Sequence, residues 1–432
     1  MAFLTRNRAI YVAPETTPGD MVDPLDVAND GVGSKDLDIR IRNLEYTIDP
    51  ELDDENSAFL TGDLGGADES IVGKIPGTIK YGIKFAPGEY YGLATSAVGN
   101  ATHNLNWEDM VEAAGLYKED LLPVGETTQD DYFAPMKRLF YPSHLNTSKT
   151  MTQTVVEKNE NDDTFAVYYN GSLNNLKITA DGVGKPLSLD FEGMGGVNKV
   201  IDLEATIIDY GGDYNDFLSN IKFNDNKIMR TVASKFLNTT IKIREYDWEL
   251  THPSEPDGGW VEFCINKFEF DTGGEITPIE CQDNSSGIKY YQITNIEPRL
   301  AINPELKTLS EFDFYKALTE EKKYEVEIIV SDKRKKDEVE FVPLRIYIPR
   351  AQLIKTPITD DNGFLRYDMS FRPLRNAVPT TGGTITPKVP VIKLEEENGS
   401  YSQWVPDANS HAKSGEALYY IITQEEYIGD NS

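Results

Sequence analysis

Helical periodicity is almost absent from these 432 residues, and that lack narrows the possible folds more than any other feature. Apolar side chains recur at three- and four-residue spacing in two clear places. Residues 106–118, NWEDMVEAAGLYK, put Met110, Ala113, Ala114 and Tyr117 on one side, with Asn106 as the cap. Glu108 and Asp109 occupy the first turn, where the helix dipole favours them, and Gly115 is placed to stop it. Residues 310–322, SEFDFYKALTEEK, align Phe314, Ala317 and Leu318, and 213–221 read as a short third helix. The rest reads as strand. Alternating runs at 37–41, 78–85, 173–180, 187–192, 240–244, 260–270, 324–331, 339–348 and 364–371 are each bounded by Gly, Pro, Asn or Asp. With no βαβ rhythm and no short internal repeat, the expected fold is a mainly β, antiparallel sandwich or barrel with one or two short helices.

Two segments read as projections from that core. Residues 46–77 gather Asp49, Glu51, Asp53, Asp54, Glu55, Asp63, Asp68 and Glu69 among glycines. A loop of that length in a compact domain is expected to be functional or disordered. From Val378 the composition turns to Pro, Gly and Thr, as in a linker or extended arm. Residues 401–428 then regain aromatic and apolar side chains, as a small added module or a strand donated to a neighbour's sheet edge.

Charge excludes one class of function. Seventy-two acidic against 42 basic residues give a formal net charge of −30, which repels phosphate backbones and argues against tight nucleic-acid binding. The plainer reading of the same acidity is solubility. Cys264 and Cys281 build no disulfide framework and no CxxC metal pair, so reduced thiols in an intracellular setting are expected. The first residues carry no signal-peptide apolar run, and no stretch approaches the ~20 apolar residues of a membrane span. A cytoplasmic site of synthesis follows as the expectation.

Reactive chemistry finds little support. His103, His144, His252 and His411 stand at no metal-ligand spacing with one another or with cysteine. The run GMGGVN from Gly193 has no following helix or lysine and reads as a turn rather than a phosphate loop. Asp360, Asp361, Asn362 and Gly363 read as a hairpin turn in preference to a calcium loop. Lys333, Arg334, Lys335 and Lys336 are flanked by acids and read as a solvated turn. Four scattered tryptophans, Trp107, Trp248, Trp260 and Trp404, leave a carbohydrate-binding β-sandwich as a rival, although core packing is the commoner use of tryptophan. No catalytic, cofactor or metal residue is assigned.

The order of the pieces resembles the phage tail tube (major tail protein) family. The opening RNRAIYVAPETTPGD resembles that family's strand and acidic "E-x-x-P-G" turn, here Ile10, Tyr11, Val12, Glu15, Pro18 and Gly19. VGKIPGTIKYGIKF, after the acidic segment, looks like its loop-and-strand pair, and EAAGL (Glu112 to Leu116) like the end of its "L-x-x-C-G" helix, with Ala114 where cysteine is common. YNGSLNNLKITADGVGKPLSLDFEGMGG and YIPRAQLIKTPITDDNGFLRYDMSFRPL resemble its "F-x-G" strands and its closing hairpin. The likeness spans residues 1–376, with 127–158 and 377–432 reading as additions. It implies a structural virion protein, not an enzyme, that forms hexameric rings stacked into the hollow tube through which the genome passes. Implied partners are further copies of the chain, a tape-measure protein, and tail terminator and baseplate proteins; no cofactor and no membrane are implied. The virion tail, assembled in the host bacterial cytoplasm, is the implied location. Contacts between rings are expected from Asp49, Glu51, Asp53, Asp54, Glu55, Phe59 and Leu60. A terminator, distal tail or baseplate ring protein is the near alternative.

Overall fold

The computed structural model describes residues 8–23, 35–36, 41–53, 71–85, 89–90, 108–121, 137–142, 149–158, 164–203, 239–246, 248–252, 254–255, 258–332, 341–361, 363–374, 392–395, 401–404, 419–425 and 427–428. Two long strands organise it. Thr164–Ala180 runs antiparallel to Ser188–Asp202 along one edge. Its other edge is divided: Met151–Lys158 takes the first half, and Ile265–Asp271 takes the end, from Lys177 to Ala180. Arg8–Pro14 joins the outside of Met151–Lys158, while Pro76–Lys84 and then Ile41–Tyr46 extend the sheet beyond Ser188–Asp202.

Phe341–Lys355 divides its edges in the same way. Lys323–Asp332 lies along one, followed outward by Thr239–Glu245 and Val261–Phe263. Ile421–Glu425 and Met369–Pro373 share the other. Arg299–Pro304 pairs with both Met369–Pro373 and Ile265–Asp271, which links the two halves into one 17-stranded sheet. The described pairings do not close into a barrel, so the expected sandwich holds and the barrel does not. One apolar cluster joins the halves, with Val155, Val167 and Ile178 from the first and Val326, Ile346 and Ile348 from the second. Phe270 and Tyr420 meet edge-to-face across it at 4.8 Å.

Both proposed additions enter this sheet. Residues 127–158 supply Lys137–Pro142 and Met151–Lys158, and the segment 377–432 supplies Ile421–Glu425 between Phe341–Lys355 and Lys137–Pro142. Tyr420, Ile421 and Ile422 are buried, so this part of the C-terminal segment belongs to the chain's own core rather than to an arm or a neighbour's edge. The helices are shorter than their periodicity suggests: Glu108–Glu112 and Phe314–Thr319. The first gives way to the strand Leu116–Leu121, which claims Tyr117. In the second, Asp313 Oδ1 accepts the Lys316 N–H at 2.9 Å, the usual N-cap bond. The third helix expected at 213–221 lies outside the described residues.

Thr164–Ala180 is buried on both faces, and so its polar residues must find partners inside. They find them against glycine. The run around Gly193 is not a turn but the middle of Ser188–Asp202. A Cβ on Gly193 would stand 2.6 Å from Asn174 Oδ1, and one on Gly195 would stand 2.4 Å from Ser172 Oγ. The glycines are vacant so that amide and hydroxyl groups of the neighbouring strand fit beneath them. Asn174 Oδ1 in turn accepts from Gln153 Nε2 at 3.0 Å.

The second half carries a buried ion pair. Arg244 and Glu325 face each other across the ladder, and both Nε and Nη2 of Arg244 donate to Glu325 Oε2, at 2.9 and 2.7 Å. The Tyr347 hydroxyl donates to the same oxygen at 3.1 Å, and the guanidinium lies over the Trp260 ring. Burial, followed by the Glu325 charge, holds the Tyr347 hydroxyl far above its ordinary pKa. Glu325→Ala strands a buried guanidinium; we expect a loss of about 3–5 kcal/mol, read as a lower urea midpoint at unchanged m-value.

Candidate assembly surface

The acidic segment begins as an ordered stem. Ile41–Tyr46 pairs with Pro76–Lys84, and the pairing continues past the strand end: Thr47 N–H donates to Thr78 O and Asp49 N–H to Pro76 O, each at 2.9 Å. A short second ladder follows, Glu51–Asp53 against Ile71–Lys74. The segment therefore leaves the sheet as a β-ribbon. Of the expected contact residues, Asp49 and Glu51 are exposed on this stem, and Asp53 ends its outgoing strand. Asp54, Glu55, Phe59 and Leu60 lie outside the described residues.

Beside the stem stands a hairpin that the periodicity reading did not identify. Gly274–Glu280 pairs with Ile288–Ile296 through a turn from Cys281 to Gly287. Its signals were present: Glu275, Ile276, Thr277 and Ile279 alternate about Pro278, and Asn284, Ser285, Ser286 and Gly287 make a turn. The proline and the lone buried cluster hid it, because only one strand of the pair has a clearly apolar face. That cluster is Leu173, Ile288, Tyr291 and Ile293, with Met194, Ile276 and Ile296 partly buried around it. The opposite side shows Glu275, Thr277 and Glu280 to solvent.

Ribbon and hairpin are joined at two points, and the ribbon is tied to the main sheet at a third. Ile75 N–H donates to Ser286 O at 3.0 Å, and Val197 N–H donates to Ile75 O at 2.8 Å, so the base of the stem is threaded between hairpin and main sheet. Lys74 Nζ lies 2.6 Å from Glu280 Oε1 and 3.7 Å from Glu51 Oε2, bridging the carboxylates of the two projections. Its hydrogen bond to Glu280 is the main cause that lifts the Lys74 pKa above the ordinary value. At a solvated position this fixes register more than it adds stability. The result is one double projection with carboxylates at Asp49, Glu51, Glu275 and Glu280, and with Lys74 set among them.

Among the described residues, no group of three His, Cys, Asp or Glu is placed to hold a metal ion. His252 stacks on Trp248 at 3.7 Å between ring centroids, while His103, His144 and His411 lie outside the described residues. Trp260 is occupied by Arg244. The turn at Gly363 joins Ile358–Asp361 to Phe364–Tyr367, with Asp360 Oδ1 accepting the Gly363 N–H at 2.7 Å, as a hairpin requires. The basic cluster at 333–336 lies outside the described residues.

Truncating the anchor of the hairpin separates its stability from that of the core. Tyr291→Ala removes a buried aromatic and is expected to cost about 3–5 kcal/mol locally. Amide exchange in Ile288–Ile296 should accelerate by orders of magnitude while Phe341–Lys355 keeps its protection.

No family model matches the chain, and no curated protein matches it. Among solved structures, a double mutant of the Hcp1 protein from E. coli EAEC 042 pathovar is similar over 31% of this chain and 85% of that chain, at 9% identity and a TM-score of 0.20.

Proposed function

We propose that this chain is a structural subunit of a phage tail tube, which closes into hexameric rings and stacks through the paired ribbon and hairpin. The observation that carries this reading is the double projection itself. An acidic ribbon, in the place where the tail tube resemblance calls for a ring-to-ring loop, leaves the sheet already braced by a second hairpin. A merely mobile surface loop needs no such brace. Heterologous contacts of this kind close around an axis in one direction and repeat without limit along it, which is how a ring-forming subunit becomes a tube. Strand edges are the other adhesive element open to a ring-forming subunit, because pairing across subunits satisfies backbone groups that would otherwise invite uncontrolled association.

The acidity then acquires a use. Carboxylates facing the lumen keep DNA phosphates in a water layer and prevent the channel from holding its cargo. The tape-measure protein sets the length of the tube, terminator and baseplate proteins cap it, and the genome passes without specific binding. The site of action is the virion tail, after assembly in the host bacterial cytoplasm.

Negative-stain microscopy of the concentrated protein should show hollow tubes or stacked rings. Deleting residues 53–66 should leave subunits with native circular dichroism and a single cooperative melt that form no tubes. Normal tubes from that deletion would remove the ribbon from the contact. Wild-type rings that never stack would assign the chain to a terminator or baseplate adaptor instead.

A further inference from the structure

Glu15 is buried, and among the described residues its carboxylate meets no cation and only uncharged donors. Oε2 accepts the Gly19 N–H at 2.7 Å and the Thr150 hydroxyl at 2.6 Å. Oε1 accepts the Gly171 N–H at 2.8 Å and the Thr152 hydroxyl at 2.9 Å. Each oxygen therefore holds one backbone amide and one hydroxyl.

The two glycines whose amides it holds are the platform on which the 274–296 hairpin rests. Gly19, at φ +87°, would place a Cβ 2.3 Å from Lys289 O. Gly171, at φ +60°, would place one 2.5 Å from Tyr290 Cα. Asn170 Nδ2 ties the same parts together, donating to Gly19 O at 3.2 Å and Lys289 O at 3.5 Å. Three remote parts of the chain thus meet: the N-terminal turn, the irregular pairing between Asn170 and Leu173, and the hairpin strand.

We propose that Glu15 is a positioning residue that latches the hairpin in place, and that the latch holds whether or not its carboxyl carries a proton. Proton tolerance follows from the donor set. Thr152 Oγ1 already accepts the Val22 N–H at 3.1 Å, so its orientation is fixed. Thr150 is the partner that can reverse: a proton on Oε2 points to Thr150 Oγ1, and Glu15 Oε2 still accepts from the Gly19 N–H. Both backbone amides keep an acceptor in either state. Glutamine cannot do this. Its amide offers one oxygen, so either orientation sets an NH2 group against a backbone N–H, at Gly19 or at Gly171. Aspartate is one methylene too short to span both.

The charged groups near the node are few. Lys289 packs its stem and carbonyl on Gly19, Asp20 belongs to the same turn, and Lys149, next to Thr150, is paired with Glu112. Among the described residues, no charged group makes a polar contact with the Glu15 carboxyl. Desolvation accordingly outweighs the four hydrogen bonds and raises the Glu15 pKa above 4.5. With the folded value raised, the contribution of Glu15 to stability is greatest in acid and declines as pH rises through that value.

The latch concerns the position of the hairpin and stands whether or not the surface it presents joins rings. Site-resolved amide exchange on the full chain tests it. In the wild type, protection of Gly19, Gly171 and Ile288–Ile296, corrected for intrinsic rates, should be at least as high at about pH 4 as at about pH 7. In Glu15→Gln the same amides should exchange about tenfold faster or more at both values, as a buried donor without an acceptor implies, while Phe341–Lys355 is unchanged. Thr150→Val keeps both backbone donors and should change hairpin exchange at about pH 7 by less than about twofold. Wild-type hairpin protection lost in acid would overturn the proposal. So would a protected hairpin in Glu15→Gln, or a Thr150→Val variant as loose as Glu15→Gln. Should Glu15→Gln fail to fold, the wild-type pH comparison and Thr150→Val decide the matter alone.

Discussion

Every backbone amide and carbonyl of a strand buried on both faces must be paired, and Thr164–Ala180 is such a strand over nearly its whole length. That demand determines what surrounds it. Three strands share its two edges, and its polar side chains are met by glycines on one neighbour and by Gln153 on another. Where its pairing slips, between Asn170 and Leu173, the released Gly171 amide is taken by Glu15 instead of by a ladder partner. An irregularity in one strand is thereby turned into an anchor for two distant parts of the chain.

The two halves solve the burial of charge differently. Around Phe341–Lys355 a carboxylate is matched by a guanidinium, with a tyrosine hydroxyl and a tryptophan face completing the set. Removing one member leaves the other stranded, so such a pair specifies the arrangement more than it adds net stability. Among the described residues Glu15 has no such counter-ion, and its carboxylate is solvated by dipoles. A dipole cage tolerates a change of charge that an ion pair does not, because one hydroxyl can turn around and an arginine cannot become neutral.

The alternation of apolar residues announced the sandwich, since strands such as Met369–Pro373 bury alternate side chains just as their sequence reads. It failed where burial was two-sided or where polarity was internal. Gly193 to Gly196 looked like a turn because the groups filling their space, Asn174, Ser172 and Ser286, lie 19 or more residues away in sequence. Residues 419–422 looked like part of an added module or a strand for a neighbour's sheet edge because the Pro- and Gly-rich stretch before them masks a return to the core. Asp49 and Glu51 were legible as an acidic projection, but the hairpin bracing them was not. Lys74 in the loop and Glu280 in the hairpin become partners only after folding.

A chain at −30 that stacks on copies of itself must overcome its own repulsion. Backbone pairing and apolar contact are short-ranged, and at physiological salt the opposing field decays over ~8 Å. Docking is thus favoured only once two surfaces are already close and correctly shaped. A loose acidic ribbon would approach in many orientations, nearly all of them repulsive. A ribbon held by Lys74 and braced by a latched hairpin approaches in one. On the proposed reading, rigidity at this projection is what allows a strongly acidic subunit to add to a growing tube while remaining dispersed elsewhere.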